Sequence, residues 1–152
     1  MMDTEQLLQT AESLLVPYTQ ATEKPAAHRL DVVVDGDDLV TAVYALHQSP
    51  WGYLAAITGL DLGVESGQME VLYHFCAGAA VVTLRVKVNR EVAAVPTICP
   101  IIPSASFFER ELGEMFGITV VDTPNTDYLF LPDEWPKGVY PLRKDFQPKV
   151  SE

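Results

Sequence analysis

Prolines at 124, 132, 136, 141 and 148 leave the C-terminal stretch of this chain little regular structure to adopt. Each fixes its own φ and lacks a main-chain N–H, so neither a helix nor a central strand runs through positions so spaced. The same stretch carries Tyr128, Phe130, Trp135, Tyr140 and Phe146, whose rings are costly to leave in water. An extended strap that docks, on its own domain or on a partner, satisfies both constraints. Arg143 and Lys144, next to Asp145, give the strap a local basic spot in a chain that is otherwise acidic.

The segment feeding the strap is densely charged: Ser104-Ala-Ser-Phe-Phe-Glu-Arg-Glu-Leu-Gly-Glu-Met-Phe116. Pro103 lies just outside it, and Gly117 suits the left-handed residue that closes a helix. A helix over 104–116 is therefore expected, with Ser106 and Glu109 spaced as a capping box. Helical periodicity puts Phe108, Leu112, Met115 and Phe116 on the core side. Glu109 and Glu111 flank that stripe, while Arg110 and Glu114 lie opposite it as an i, i+4 pair with Phe107 near Glu114. Paired carboxylates act as acid and base when burial splits their pKa values, so a free-standing hydrolase using Glu109 and Glu111 is one alternative. The carboxylates leave different sides of one helix, however, and a charged helix facing solvent or a partner is the expected reading.

Upstream, Leu7, Leu8, Ala11, Leu14 and Leu15 have helical spacing over Thr4 to Leu15, ended by Pro17. Tyr18 to Pro25 is polar and reads as a loop. Leu30-Asp-Val-Val-Val-Asp35 reads as a strand; Asp35-Gly-Asp-Asp38 turns the chain and supplies an N-cap for a helix from Asp38 to His47. Strands follow over Tyr53 to Leu62, Met69 to Cys76 and Ala80 to Val88, joined by turns short enough for antiparallel hairpins. In the third, Leu84, Val86 and Val88 alternate with Arg85, Lys87 and Asn89, leaving one wet face. The expected class is α+β: a small, mostly antiparallel sheet flanked by helices, then the charged helix and the Pro/aromatic-rich tail. The division expected is a core of 1–118 and a docking tail of 119–152.

With 21 acidic residues against 10 basic ones, the net charge of −11 argues against nucleic acid and against an anionic membrane surface as partners. No apolar run approaches the roughly 20 residues a membrane span needs, and Met1-Met-Asp-Thr-Glu-Gln lacks the basic and apolar regions of a signal peptide. Cys76 and Cys99 stand far apart and read as small buried residues. They show no metal-ligand spacing with each other or with His28, His47 and His74. No nucleophile elbow, phosphate loop or dinucleotide fingerprint is present. The expectation is no catalytic, cofactor-binding or metal-binding residue in this chain.

Glu109-Arg110-Glu111-x-x-Glu114-Met-Phe-Gly-Ile118, then Leu129 to Asp133, Trp135 and Pro141-Leu-Arg-Lys-Asp-Phe146, resemble the signature of the respiratory complex I 30 kDa subunit family. The resemblance is strongest to its cyanobacterial and plastid branch. It implies a cofactor-free, non-catalytic subunit of the hydrophilic arm of a proton-pumping NAD(P)H or ferredoxin:plastoquinone oxidoreductase. Iron–sulfur clusters and quinone would then belong to neighbouring subunits, among them the large hydrogenase-like one that the tail would wrap. The implied location is peripheral, on the cytoplasmic or stromal side of the thylakoid membrane. The residues expected at partner interfaces are Phe107, Glu109, Arg110, Glu111, Glu114, Trp135, Tyr140, Arg143, Lys144, Asp145 and Phe146. The equivalent small subunit of a membrane-bound hydrogenase, which shares much of the signature, is the nearer alternative.

Overall fold

A computed structural model describes residues 1–149; the last three residues assigned to the tail lie outside the described residues. Helix α1, Thr4–Leu15, begins where Asp3 and Gln6 cap each other reciprocally. The Asp3 carboxylate accepts from the Gln6 main-chain N–H at 2.8 Å, and the Gln6 side-chain oxygen accepts from that of Asp3 at 2.9 Å. It buries Leu8, Ala11 and Leu15. Pro17 then sits in a single 3-10 turn, Val16–Tyr18.

The polar stretch expected to be a loop contains strand β1, Thr19–Glu23. Its side chains face mostly outward at the sheet edge, so it carries no apolar alternation, and it pairs antiparallel with β2, Arg29–Val34. The Asp35 carboxylate caps the following turn by accepting from Asp37 N–H at 3.0 Å. Asp38 makes no side-chain capping bond; helix α2, Leu39–Gln48, grows directly out of that turn and buries Leu39, Ala42, Val43 and Leu46.

Strands β3 (Tyr53–Asp61), β4 (Gln68–Ala77) and β5 (Ala80–Asn89) form the two expected antiparallel hairpins. Strand β5 also pairs with β2 in parallel, giving the order β1-β2-β5-β4-β3. One face, with Val32, Val71, Tyr73, Phe75, Val82, Leu84 and Val86, is sealed by the helices. The opposite face is less wet than alternation implies. Arg85 bridges Asp31 and Glu70 across three strands, and Asp31, Glu70 and Thr83 are buried among their neighbours.

Two three-residue strands that periodicity does not announce complete the domain: β6, Ala94–Pro96, and β7, Thr119–Val121, paired in parallel. Helix α3, Ala105–Phe116, lies between them in sequence and packs against β3 and β7. Gly59 of β3 has no side chain where the Phe116 ring lies; a Cβ there would fall 2.6 Å from the ring carbons. Val120 is buried, so the strap leaves the sheet after Val121, just beyond the boundary expected at 118.

Candidate partner-docking surface

Helix α3 decides where the strap goes. It ends at Gly117, whose φ of 70° is the left-handed conformation expected there. At its start Ser104 makes no side-chain capping bond, and the capping box expected of Ser106 and Glu109 is absent because Glu109 turns inward. Glu109 is only 2% exposed. Its carboxylate accepts from Thr97 Oγ1 and Thr123 Oγ1 at 2.7 Å, from Ile98 N–H at 2.8 Å and from Cys99 Sγ at 3.1 Å. Four donors make burial of this group tolerable, and they tie α3 to the segments that follow β6 and β7. Burial, with the Glu109 contact, raises the Cys99 thiol pKa; burial, then the charge of Glu109, does the same to the Tyr73 phenol.

Arg110 and Glu114 share a side of α3, but they hold the strap instead of each other. Arg110 donates from Nε to the Asp127 carbonyl at 2.9 Å and from Nη2 to the Tyr128 carbonyl at 3.0 Å. Glu114, also buried, accepts from the consecutive N–H groups of Leu129, Phe130 and Leu131 at 3.0, 2.9 and 3.3 Å. Proline-spaced backbone has no ladder of its own, so these two side chains supply its hydrogen bonds. The strap roofs a cavity of about 400 Å³ lined by Glu109, Thr123, Tyr128, Lys137 and Tyr140, among others.

Farther along, the strap crosses the end of α3. The Tyr140 ring lies against Gly117, where a Cβ would sit 2.4 Å from it. The Arg143 guanidinium lies over that ring, 4.8 Å from its centroid, and donates to the Phe116 carbonyl at 2.7 Å. A cation on the last carbonyls of a helix is favourable both as a hydrogen bond and against the helix dipole. Leu142 N–H reaches the Met115 carbonyl at 3.0 Å.

The strap then meets a pair that sequence reasoning missed. Buried Asp61, at the end of β3, and Arg90, just past β5, form a two-pronged ion pair at 2.9 and 3.0 Å. Lys144 N–H donates to Asp61 at 2.8 Å, and Arg90 donates to Asp145 at 2.6 Å. The Arg90 bond holds the Asp61 pKa well below the carboxylate range against the opposing cost of burial, helped by the main-chain donors of Lys144 and Gly63. Trp135 and Phe146 pack with ring centroids 6.3 Å apart.

Of the expected interface residues, Glu109 is enclosed, and Arg110 and Glu114 are engaged with the strap. Tyr140 and Arg143 are partly buried against the end of α3 and Phe146 is partly buried beside Trp135, while Lys144 and Asp145 remain exposed on the strap. Phe107, Phe130 and Leu142 stand 59%, 63% and 50% exposed. Glu111 lines a separate groove with Phe108, Phe116 and Leu142, so Glu109 and Glu111 do not converge on one substrate. Among the described residues, no three His, Cys, Asp or Glu side chains are placed to hold a metal ion, and no helix is long and apolar enough to cross a membrane.

The chain matches the model of a family described as respiratory-chain NADH dehydrogenase, 30 Kd subunit, over residues 32–152. An NADH-quinone oxidoreductase subunit of Maricaulis maris (strain MCS10) is 37% identical over 126 residues, covering 77% of this chain and 60% of that protein. Formate hydrogenlyase subunit 5 of Escherichia coli (strain K12) is 33% identical over 120 residues, covering 77% of this chain but 21% of that protein. The chain thus spans only part of the length of either relative. Among solved structures, a chain of the membrane-bound sulfane sulfur reductase, an archaeal respiratory membrane complex, superposes with a TM-score of 0.78 at 23% identity. That superposition covers 94% of this chain and 85% of the other, and at this identity it shows the fold alone.

Proposed function

The chain belongs to the respiratory-chain NADH dehydrogenase 30 Kd subunit family, and from that premise we propose that it is a non-catalytic subunit of the hydrophilic arm of a membrane-bound quinone oxidoreductase. Its role in this reading is to dock: it supports neighbouring subunits that carry the iron–sulfur clusters and the quinone site, without a cofactor or membrane span of its own. The observation that carries the reading is the strap. Its backbone is anchored by Glu114, Arg110 and Asp61 and its Asp145 side chain by Arg90, while Phe130 and Leu142 of the strap and Phe107 of α3 are exposed to solvent. Apolar side chains held outward on a fixed backbone suit an interface with a preformed partner.

In this reading Phe107, Glu111, Trp135, Tyr140, Arg143, Lys144, Asp145 and Phe146 face or frame the partner. Glu109, Arg110 and Glu114 act indirectly by holding the surface in shape. The likeness of 109–118 and 141–146 to the cyanobacterial and plastid branch supports a narrower form. In it NAD(P)H or ferredoxin is the donor and plastoquinone the acceptor; electron transfer is coupled to proton pumping, and the complex lies at the thylakoid membrane. Similarity to formate hydrogenlyase subunit 5 favours a second reading, the equivalent module of a membrane-bound hydrogenase. The quinone extracted with the purified complex, and its activity with hydrogen against NAD(P)H or ferredoxin, separate these forms.

The direct test is truncation after Pro132, alongside Arg143→Glu. Both are expected to abolish incorporation into a large membrane assembly while the far-ultraviolet circular dichroism of the domain persists. A truncated chain that enters the assembly with normal quinone reductase activity contradicts the proposal.

A further inference from the structure

The sheet has two edges of very different character. β1 is five residues long and ends in Glu23. At the other edge, β3 runs nine residues, and Tyr53 to Leu60 include no charged residue and no proline. Exposed edges are normally blunted by charge, proline, shortness or a cover, because their free N–H and C=O groups template further pairing. The register shift of β3 between Leu54 and Ala56 lies near one end and leaves Ile57 to Asp61 regular. Among the described residues, the main-chain groups of Leu54 to Leu60 pair with nothing beyond β4.

Alongside this edge runs a groove of about 250 Å³ between β3 and α3, with Gly59 in its floor and Phe108, Phe116 and Leu142 among its walls. Glu111 is the one charged residue lining it. Unlike those of its neighbours Glu109 and Arg110, the side chain of Glu111 makes no hydrogen bond among the described residues.

We propose that the β3 edge is a strand-addition site, occupied by an extended segment of a partner polypeptide that seats an apolar side chain in the groove and sets a lysine or arginine against Glu111. Main-chain pairing supplies affinity in this mode, and side-chain pockets supply the choice of partner. Charge decides against a second copy of this chain. The stretch Tyr53 to Leu60 brings no cation to Glu111, and two chains of net charge −11 repel one another. The surface is additional to the outward side chains of the strap and can fail without them.

The test replaces exposed Ala55 with a photo-crosslinker (Ala55→p-benzoylphenylalanine) in the full chain, expressed in its host, with the adduct mapped by mass spectrometry. The expected adduct joins position 55 to an extended, lysine- or arginine-bearing segment of another subunit. Glu111→Lys should lower its yield about fivefold, the upper end for one exposed ion pair, with circular dichroism unchanged. Amide exchange of the unmodified chain needs no substitution: Ile57 to Leu60 should exchange at least tenfold more slowly in the purified assembly than in the free chain. An adduct to a second copy of this chain overturns the proposal. So does a chain that co-migrates with the assembly without an adduct and with unchanged exchange, an outcome that leaves the subunit reading standing. A chain found in no assembly removes both.

Discussion

Glu114→Gln isolates what fixes the strap. In the native chain Oε2 accepts from Leu129 and Leu131, and Oε1 accepts from Phe130. An amide keeps one acceptor oxygen and presents an NH2 group where the other stood, so at least one main-chain donor faces another donor. A hydrogen bond to a charged group contributes about 1.5–3 kcal/mol, and a buried donor left without a partner costs about 1–3 kcal/mol. The Phe130 side chain is exposed, so water can reach that end and the loss falls in the lower half of the sum, about 2.5–4 kcal/mol. At about 1.4 kcal/mol per tenfold, amide exchange at residues 129–131 should accelerate by about 60- to 700-fold. The β4 and β5 amides should stay at their native rates, because the strap contributes nothing to their pairing. Hydrogen exchange read residue by residue makes the measurement. Acceleration below about threefold at 129–131, or equal acceleration throughout the sheet, would refute the idea that this carboxylate locally anchors the strap.

Further expected outcomes follow from the same geometry. Arg90→Met leaves buried Asp61 without its partner and should cost about 3–5 kcal/mol in chemical denaturation; pairing it with Asp61→Asn should recover much of that. Because the folded Asp61 pKa is depressed, its stabilisation is complete above the unfolded carboxylate value of about 3.9 and erodes as pH falls below it; Asp61→Asn should flatten that acid limb in pH-dependent melting. His74, held between Thr58 and Thr83, has its pKa lowered by burial and by Arg29. Stability should therefore fall as pH drops through the unfolded histidine value of about 6.5, and His74→Gln should remove that slope. Gly117→Ala combines a left-handed backbone with a Cβ 2.4 Å from the Tyr140 ring. It should cost at least about 1–2 kcal/mol and raise protease cleavage after Arg143 or Lys144.

How legible these features were depended on the range of the interactions behind them. Helix α1 and strands β3 to β5 could be placed because their burial repeats every 3.6 or 2 residues. β1 could not, since an outward-facing edge strand reads Thr-Gln-Ala-Thr-Glu and looks like a loop. β6 and β7 each have three residues, and the chain between them includes all of α3. The strap's lack of helix and strand was legible from its proline spacing. Its anchors were not. Glu109 sits where helical periodicity puts the flank of the stripe, and its donors come from loops 10–14 positions away. Asp61, Arg90 and Asp145 are separated by 29 and 55 positions, and nothing local marks them as partners.

Whether this chain is a docking subunit of a membrane-bound oxidoreductase can be measured by tagging its N-terminus, away from the strap, and solubilising host membranes in mild detergent. The purified material is then resolved on a native gel stained for quinone reduction. The chain should migrate in a large, active assembly with iron–sulfur and hydrogenase-like subunits, and should leave it when truncated after Pro132. A monomer recovered from the soluble fraction, with the membrane activity intact in its absence, would contradict it.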